Sequence, residues 1–139
     1  MATVTVNRAH KGANFELARY ELDAGRWEEA SKHTRLLVQL EPDQPRVLYF
    51  DGVANFNSGQ QGLAQTSLNR LVALGHSESY PMALFFLAII EGDQKNYAVA
   101  ADYLTKFLET APEESVPDDL RKNAEQHLKM WQEQASQQK

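Results

Sequence analysis

Residues 17–43 read LARYELDAGRWEEASKHTRLLVQLEPD, and the chain repeats their skeleton twice. The marks are Leu17-Ala18, Gly25, Trp27, Ala30, Leu37 and Pro42-Asp43. Thirty-four residues on stand Gly52 (from Ala18), Gly59, Ala64 and Leu71; thirty-six further stand Leu87-Ala88, Tyr97, Ala100, Phe107 and Pro112-Glu113. The two extra residues of the second step fall in the polar loop Gly75 to Ser79, where an insertion displaces no packed backbone. The residue types suit a helix-turn-helix. Small Ala18, Gly52 and Ala88 let one helix approach the next, and Ala30, Ala64 and Ala100 do the same from the other side. Gly25 and Gly59 stand where a left-handed residue ends a helix. Trp27 and Tyr97 open the second helix, and Pro42 and Pro112 stop it.

The order small–Gly–aromatic–Ala–Pro at this period resembles the tetratricopeptide repeat family over about residues 11–113. Three departures stand out: Gln61 replaces the aromatic in the second repeat, Lys95 replaces the turn glycine in the third, and Glu21, Asn55 and Glu91 fill a column where the family usually buries an aromatic. The resemblance implies an all-α fold, a right-handed superhelical solenoid of antiparallel helix pairs in one domain. Its repeats would span about 11–44, 45–78 and 81–114. Helices are expected at about 9–24, 27–40, 45–58, 61–74, 80–93 and 96–110. The apolar run Met82 to Ile90 suits a buried core helix. Thr3 to Val6 alternate too briefly for a strand. A capping helix at about 116–136 follows, with Ser115 as its cap and Pro117 and Asp118-Asp119 in its first turn. Leu120, Ala124, Leu128, Trp131 and Ala135 form its apolar stripe, which would cover the third hairpin as terminal repeats require.

With 139 residues, 42% hydrophobic and 24% charged, the chain can bury a core without staples. There is no cysteine, so disulfides, thiolate metal sites and cysteine nucleophiles are excluded. A net charge of −5 with scattered Arg and Lys argues against nucleic acid. No run approaches a membrane span, and Met1-Ala2-Thr3 opens no signal peptide, which fits a cytoplasmic protein or a domain of a longer chain. His10, His33, His76 and His127 lack metal-ligand spacing, and Gly52, Gly59 and Gly62 form no phosphate loop. Acidic pairs Glu28-Glu29 and Asp118-Asp119 mark helix starts. No catalytic constellation, cofactor or metal is expected. Glu21, Asn55 and Glu91 read as an exposed edge paired with Arg or Lys, the alternative being a polar ladder that reaches a ligand.

In the tetratricopeptide family, first helices line a concave groove that takes partner peptides. By helical spacing, that groove would hold Phe15, Arg19 and Leu22 from the first hairpin. The second would add Arg46, Tyr49, Val53 and Phe56, and the third Met82, Phe85 and Ile89. Leu17, Ala18, Leu48, Leu84, Leu87 and Ala88 supply the opposing core face, leaving the aromatics partly exposed. Members that clamp acidic carboxy-termini use cations in the groove, whereas the matching columns here hold Phe15, Arg19, Phe50, Met82 and Phe86. The expected partner is therefore an apolar or amphipathic polypeptide segment, with Arg19 and Arg46 as orienting charges. The leading reading is an interaction scaffold or adaptor, as in a module of a larger bacterial chain. A second resembles the chaperones of type III secretion. A third is a structural module that self-associates into a homo-oligomer.

Overall fold

The computed structural model describes residues 11–138, so the expectations about residues 1–8, His10 and the helix start at residue 9 lie outside it. All regular structure among the described residues is helical. Seven α-helices follow one another: α1 (Lys11–Asp23), α2 (Trp27–Leu40), α3 (Pro45–Asn57), α4 (Gln61–Ala73), α5 (Met82–Asp93), α6 (Tyr97–Thr110) and α7 (Asp118–Gln137). A single 3₁₀ turn, Glu113–Ser115, precedes the last. The contacts divide the chain into two compact units that meet in sequence at Leu74 and Gly75.

The first unit holds α1 to α4, each helix packed on the next in sequence and α1 also touching α3. Ala18, Ala30 and Ala64 are fully buried, as the small-residue columns require. Gly52 is small for a concrete reason: a Cβ there would collide with the Leu68 side chain of α4. The second unit packs α5 on α6 and α6 on α7. Ala88, Ala100, Leu104 and Phe107 have no exposed surface. Ala124 and Trp131 are the buried members of the α7 stripe, and the indole lies against Gly92 of α5. The stripe on α7 does cover the third hairpin. Its cap differs from expectation: Pro117 occupies the N-cap, and the Ser115 hydroxyl donates instead to the Pro112 carbonyl, 3.0 Å away. Ser115 is drawn back by the 3₁₀ turn that precedes the helix.

All three hairpins turn by one device. Gly25, Gly59 and Lys95 take φ of 74°, 83° and 67°, the left-handed region. Each first helix then closes with the paired bonds of a Schellman motif. The amides of Arg26, Gln60 and Asn96 donate to the carbonyls of Glu21, Asn55 and Glu91 at 2.8, 2.8 and 2.9 Å. Those of Gly25, Gly59 and Lys95 donate to Leu22, Phe56 and Gly92 at 3.1, 3.3 and 3.0 Å. Lys95 thus keeps the turn of the glycine it replaces, at the steric cost of a Cβ in that region.

Candidate functional site

The ten residues expected to line a binding face divide between the units. In the first unit, Leu22 of α1 and Tyr49, Val53 and Phe56 of α3 are half-buried. The three on α3 recur at spacings of four and three, so they share a face. Arg19 is exposed, and its guanidinium lies 3.9 Å from Glu16 one turn earlier. Arg46 is also exposed but is held in place, its guanidinium 4.0 Å above the centre of the Phe15 ring.

Phe15 is not part of an exposed face. It is 7% exposed and belongs to the core with Ala18, Leu37 and Val47. Its ring stacks on Phe50 with centroids 4.8 Å apart and planes 11° from parallel. With Phe50 on the ring and Arg46 above it, little of Phe15 is left for a ligand. The reverse correction applies to Leu17, expected in the core and 42% exposed instead.

In the second unit, Met82, Phe85 and Ile89 of α5 are half-buried. Phe85 meets the fully buried Phe107 of α6 at 5.4 Å and the neighbouring Phe86 edge-on at 6.1 Å. It therefore has one side in the core and one toward the surface.

The column Glu21, Asn55 and Glu91 is not the exposed edge expected, and the first two members are held by His33 and Ser31. Glu21 is 7% exposed, and His33 Nδ1 of α2 donates to its Oε1 at 2.7 Å. The same nitrogen lies 3.1 Å from the Glu29 carbonyl; with acceptors on both sides, it carries the hydrogen. Asn55 is fully buried, accepting from Ser31 Oγ at 2.7 Å and donating to the Asp51 carbonyl at 2.9 Å. Glu91 is half-buried and accepts from Asn96 Nδ2 at 2.9 Å. Beside it, the Tyr103 hydroxyl is held above its ordinary pKa of 10.0, first by burial and then by the Glu91 charge. Glu21 and Glu91 are bonded within their own hairpins and Asn55 to the preceding one, and all three carry the Schellman carbonyls.

The sequence reading missed Asp51. Its carboxylate is fully buried in the first unit, where the two flanking helices supply three donors. Thr34 Oγ1 of α2 donates to Oδ1 at 2.8 Å, while Ser67 Oγ of α4 and Arg35 Nη1 of α2 donate to Oδ2 at 2.6 and 2.7 Å. No buried side-chain polar atom among the described residues lacks a partner. The available signal was in the repeat register: positions 31, 34 and 51 hold Ser, Thr and Asp, where the third repeat has Ala101, Leu104 and Leu87.

Among the described residues, no three His, Cys, Asp or Glu side chains gather as a metal-binding group. None of their helices is long and apolar enough to cross a membrane.

No protein-family model and no curated protein matches the chain by sequence. Solved structures do match. The type III secretion translocator chaperone SycD of Yersinia enterocolitica superposes with a TM-score of 0.76 at 18% identity, covering 98% of this chain and 89% of its own. The MamA protein superposes at 0.71 with 19% identity, covering 96% of this chain and 77% of its own. Both are tetratricopeptide-like proteins. The fold of this chain is a tetratricopeptide-like helical repeat.

Proposed function

We propose that the protein is a non-enzymatic interaction module of the tetratricopeptide family. It takes an apolar or amphipathic polypeptide segment on the faces of its first helices. The carrying observation is the run of half-buried apolar side chains there. Leu22, Tyr49, Val53 and Phe56 offer one set in the first unit, and Met82, Phe85 and Ile89 another in the second. Apolar rings held partly out of the core are the usual anchors of such interfaces. Exposed Arg19 and positioned Arg46 lie near the first set and would orient an incoming segment. A secretion-chaperone role, holding a substrate segment before export, is the second reading. The likeness to SycD favours it.

The test pairs folding with binding. A displayed library of random 15-residue peptides is selected on the protein, and the selected peptide is measured against Tyr49→Ala, Phe85→Ala and Leu87→Ala. Selected peptides should carry apolar residues at helical or alternate spacing. Tyr49→Ala and Phe85→Ala should weaken binding by about tenfold or more. Leu87→Ala should lower the melting temperature furthest, because Leu87 has no exposed surface. Unchanged affinity in both aromatic variants would remove these faces as the binding surface.

A further inference from the structure

Trp131 closes the core of the second unit, and the polar atom of its ring is left without a protein partner. The side chain is 5% exposed, yet its indole N–H donates to no group among the described residues. Nor is that N–H sealed in, since no fully buried side-chain nitrogen or oxygen among them lacks a bond. Nε1 therefore reaches the surface. It does so at a cleft of about 280 Å³ between the end of α5, the start of α6 and one side of α7. Gly92 and Trp131 both line this cleft, and a Cβ on Gly92 would stand 3.1 Å from Nε1. An indole N–H can only donate, so what belongs opposite it is an acceptor.

The same wall offers the complementary group. His127 lies one turn before Trp131 on α7, with ring centroids 5.1 Å apart, and also lines the cleft. Its Nδ1 faces the Asn123 carbonyl at 2.9 Å and so carries the hydrogen. Nε2 of the neutral ring is then an acceptor, and no described residue donates to it. A ligand thus meets an unused donor and an unused acceptor on adjacent rings. A carboxamide presents the matching pair, an acceptor oxygen and a donor NH₂. A cation would face the Trp131 N–H. A carboxylate would face the His127 lone pair and the exposed Asp93 side chain, which also lines the cleft. Ile89 and Met130 add apolar walls on which methylene groups can pack.

We infer that this cleft is a subsite for an uncharged carboxamide side chain, Gln or Asn, of the partner segment. Its oxygen accepts from Trp131 Nε1, its NH₂ donates to His127 Nε2, and its stem lies on Ile89 and Met130. The inference rests on the function proposed above, because Ile89 belongs to the α5 face that the segment follows. It adds a sequence preference that apolar anchors alone do not provide, since a polar group waiting for its partner discriminates more sharply than an apolar wall.

The test follows the two indole N–H signals of the full chain by nitrogen-15 NMR, with Trp27 as the internal control. The probes are the N-acetyl methylamides of Gln, Glu, Lys and norleucine, which share a backbone and differ in the side chain. The Gln probe should move the Trp131 signal downfield and saturably while the Trp27 signal stays in place. The other three should bind about tenfold more weakly or less. His127→Phe keeps a ring against Trp131 and removes the acceptor, so it should weaken the Gln probe about three- to tenfold with the melting temperature held. Equal movement by all four probes, or none by the Gln probe, overturns the inference. So does a His127→Phe protein that binds the Gln probe as tightly as the parent. Free glutamine bound more tightly than its capped form would also overturn it, by making a small molecule the occupant. Failure of the apolar faces has a different sign, unchanged peptide affinity in Tyr49→Ala and Phe85→Ala.

Discussion

The two units use similar hairpins with different interiors. In the first, six buried side chains are polar or charged: Glu21, Ser31, Thr34, Asp51, Asn55 and Ser67. In the second, among the described residues, none is. There Leu84, Leu87, Ile90, Leu104 and Phe107 fill the space by shape alone, and Trp131 closes it against Gly92. The difference is instructive because the turns are the same. A backbone device, the Schellman closure, recurs through all three hairpins whether the core beside it is polar or apolar. What the polar core adds is direction. Asp51 takes bonds from α2 and α4, so those helices must meet α3 at the register that aligns the donors. Apolar contacts tolerate a slide of a fraction of a turn; this set does not.

The largest effect should come from deleting the centre of that set. Asp51→Ala strands the Ser67 hydroxyl in the core, leaves Thr34 Oγ1 with the Ser31 carbonyl at 3.1 Å, and frees Arg35. The arginine side chain is 36% exposed and can hydrate, which keeps the cost toward the lower end of a broken buried pair. We expect about 3–4 kcal/mol of destabilisation by denaturant titration. Hydrogen exchange should show the loss first in residues 11–74. Uniform loss along the whole chain would mean that the two units open together.

The counterpart in the second unit is Trp131→Ala. The ring is 5% exposed, so its removal should cost about 3 kcal/mol and open residues 75–138 first. Gly92→Ala tests the same contact from the other side. A Cβ there would stand 2.5 Å from Trp131 Cζ2 and 2.7 Å from Cε2, too close to keep the ring in place. It should cost about 1–3 kcal/mol and shift the indole fluorescence. A Gly92→Ala protein with unaltered fluorescence and melting temperature would show that α7 docks without this contact.

The smallest effect tests what the units share. Lys95→Gly relieves a side chain from the left-handed region, at φ 67°, and should stabilise the protein by about 1 kcal/mol. Gly25→Ala introduces the same strain at φ 74° and should destabilise by a similar amount. If both changes lower the melting temperature, Lys95 has a role beyond the turn.

Much of the fold was legible because repeats print their constraints in fixed columns. Ala18, Gly52 and Ala88 are small because a second helix lies close, and Trp27, Gln61 and Tyr97 each open a second helix as the spacing demands. The candidate faces were less legible. Phe15 and Tyr49 share a column, yet Phe15 is buried under Phe50 and Arg46 whereas Tyr49 is half-buried. Periodicity gives the direction of a side chain from its helix and leaves out which neighbour closes over it. Leu17 shows the converse, an apolar residue in a core-like column that is left 42% exposed.

The sequence by itself determined the helical hairpins, their turns, the capping stripe and the absence of cysteine chemistry, since each depends on residues a few positions apart or on composition. Only the tertiary structure decided that Glu21 and Asn55 are buried, that Asp51 is bonded to Asn55 in a satisfied network, and that Phe15 belongs inside. A buried polar group is stable only when donors from other helices reach it. The partners of Asp51 stand 16 and 17 positions before it and 16 after it. No local pattern encodes such a meeting; the packing of the helices creates it.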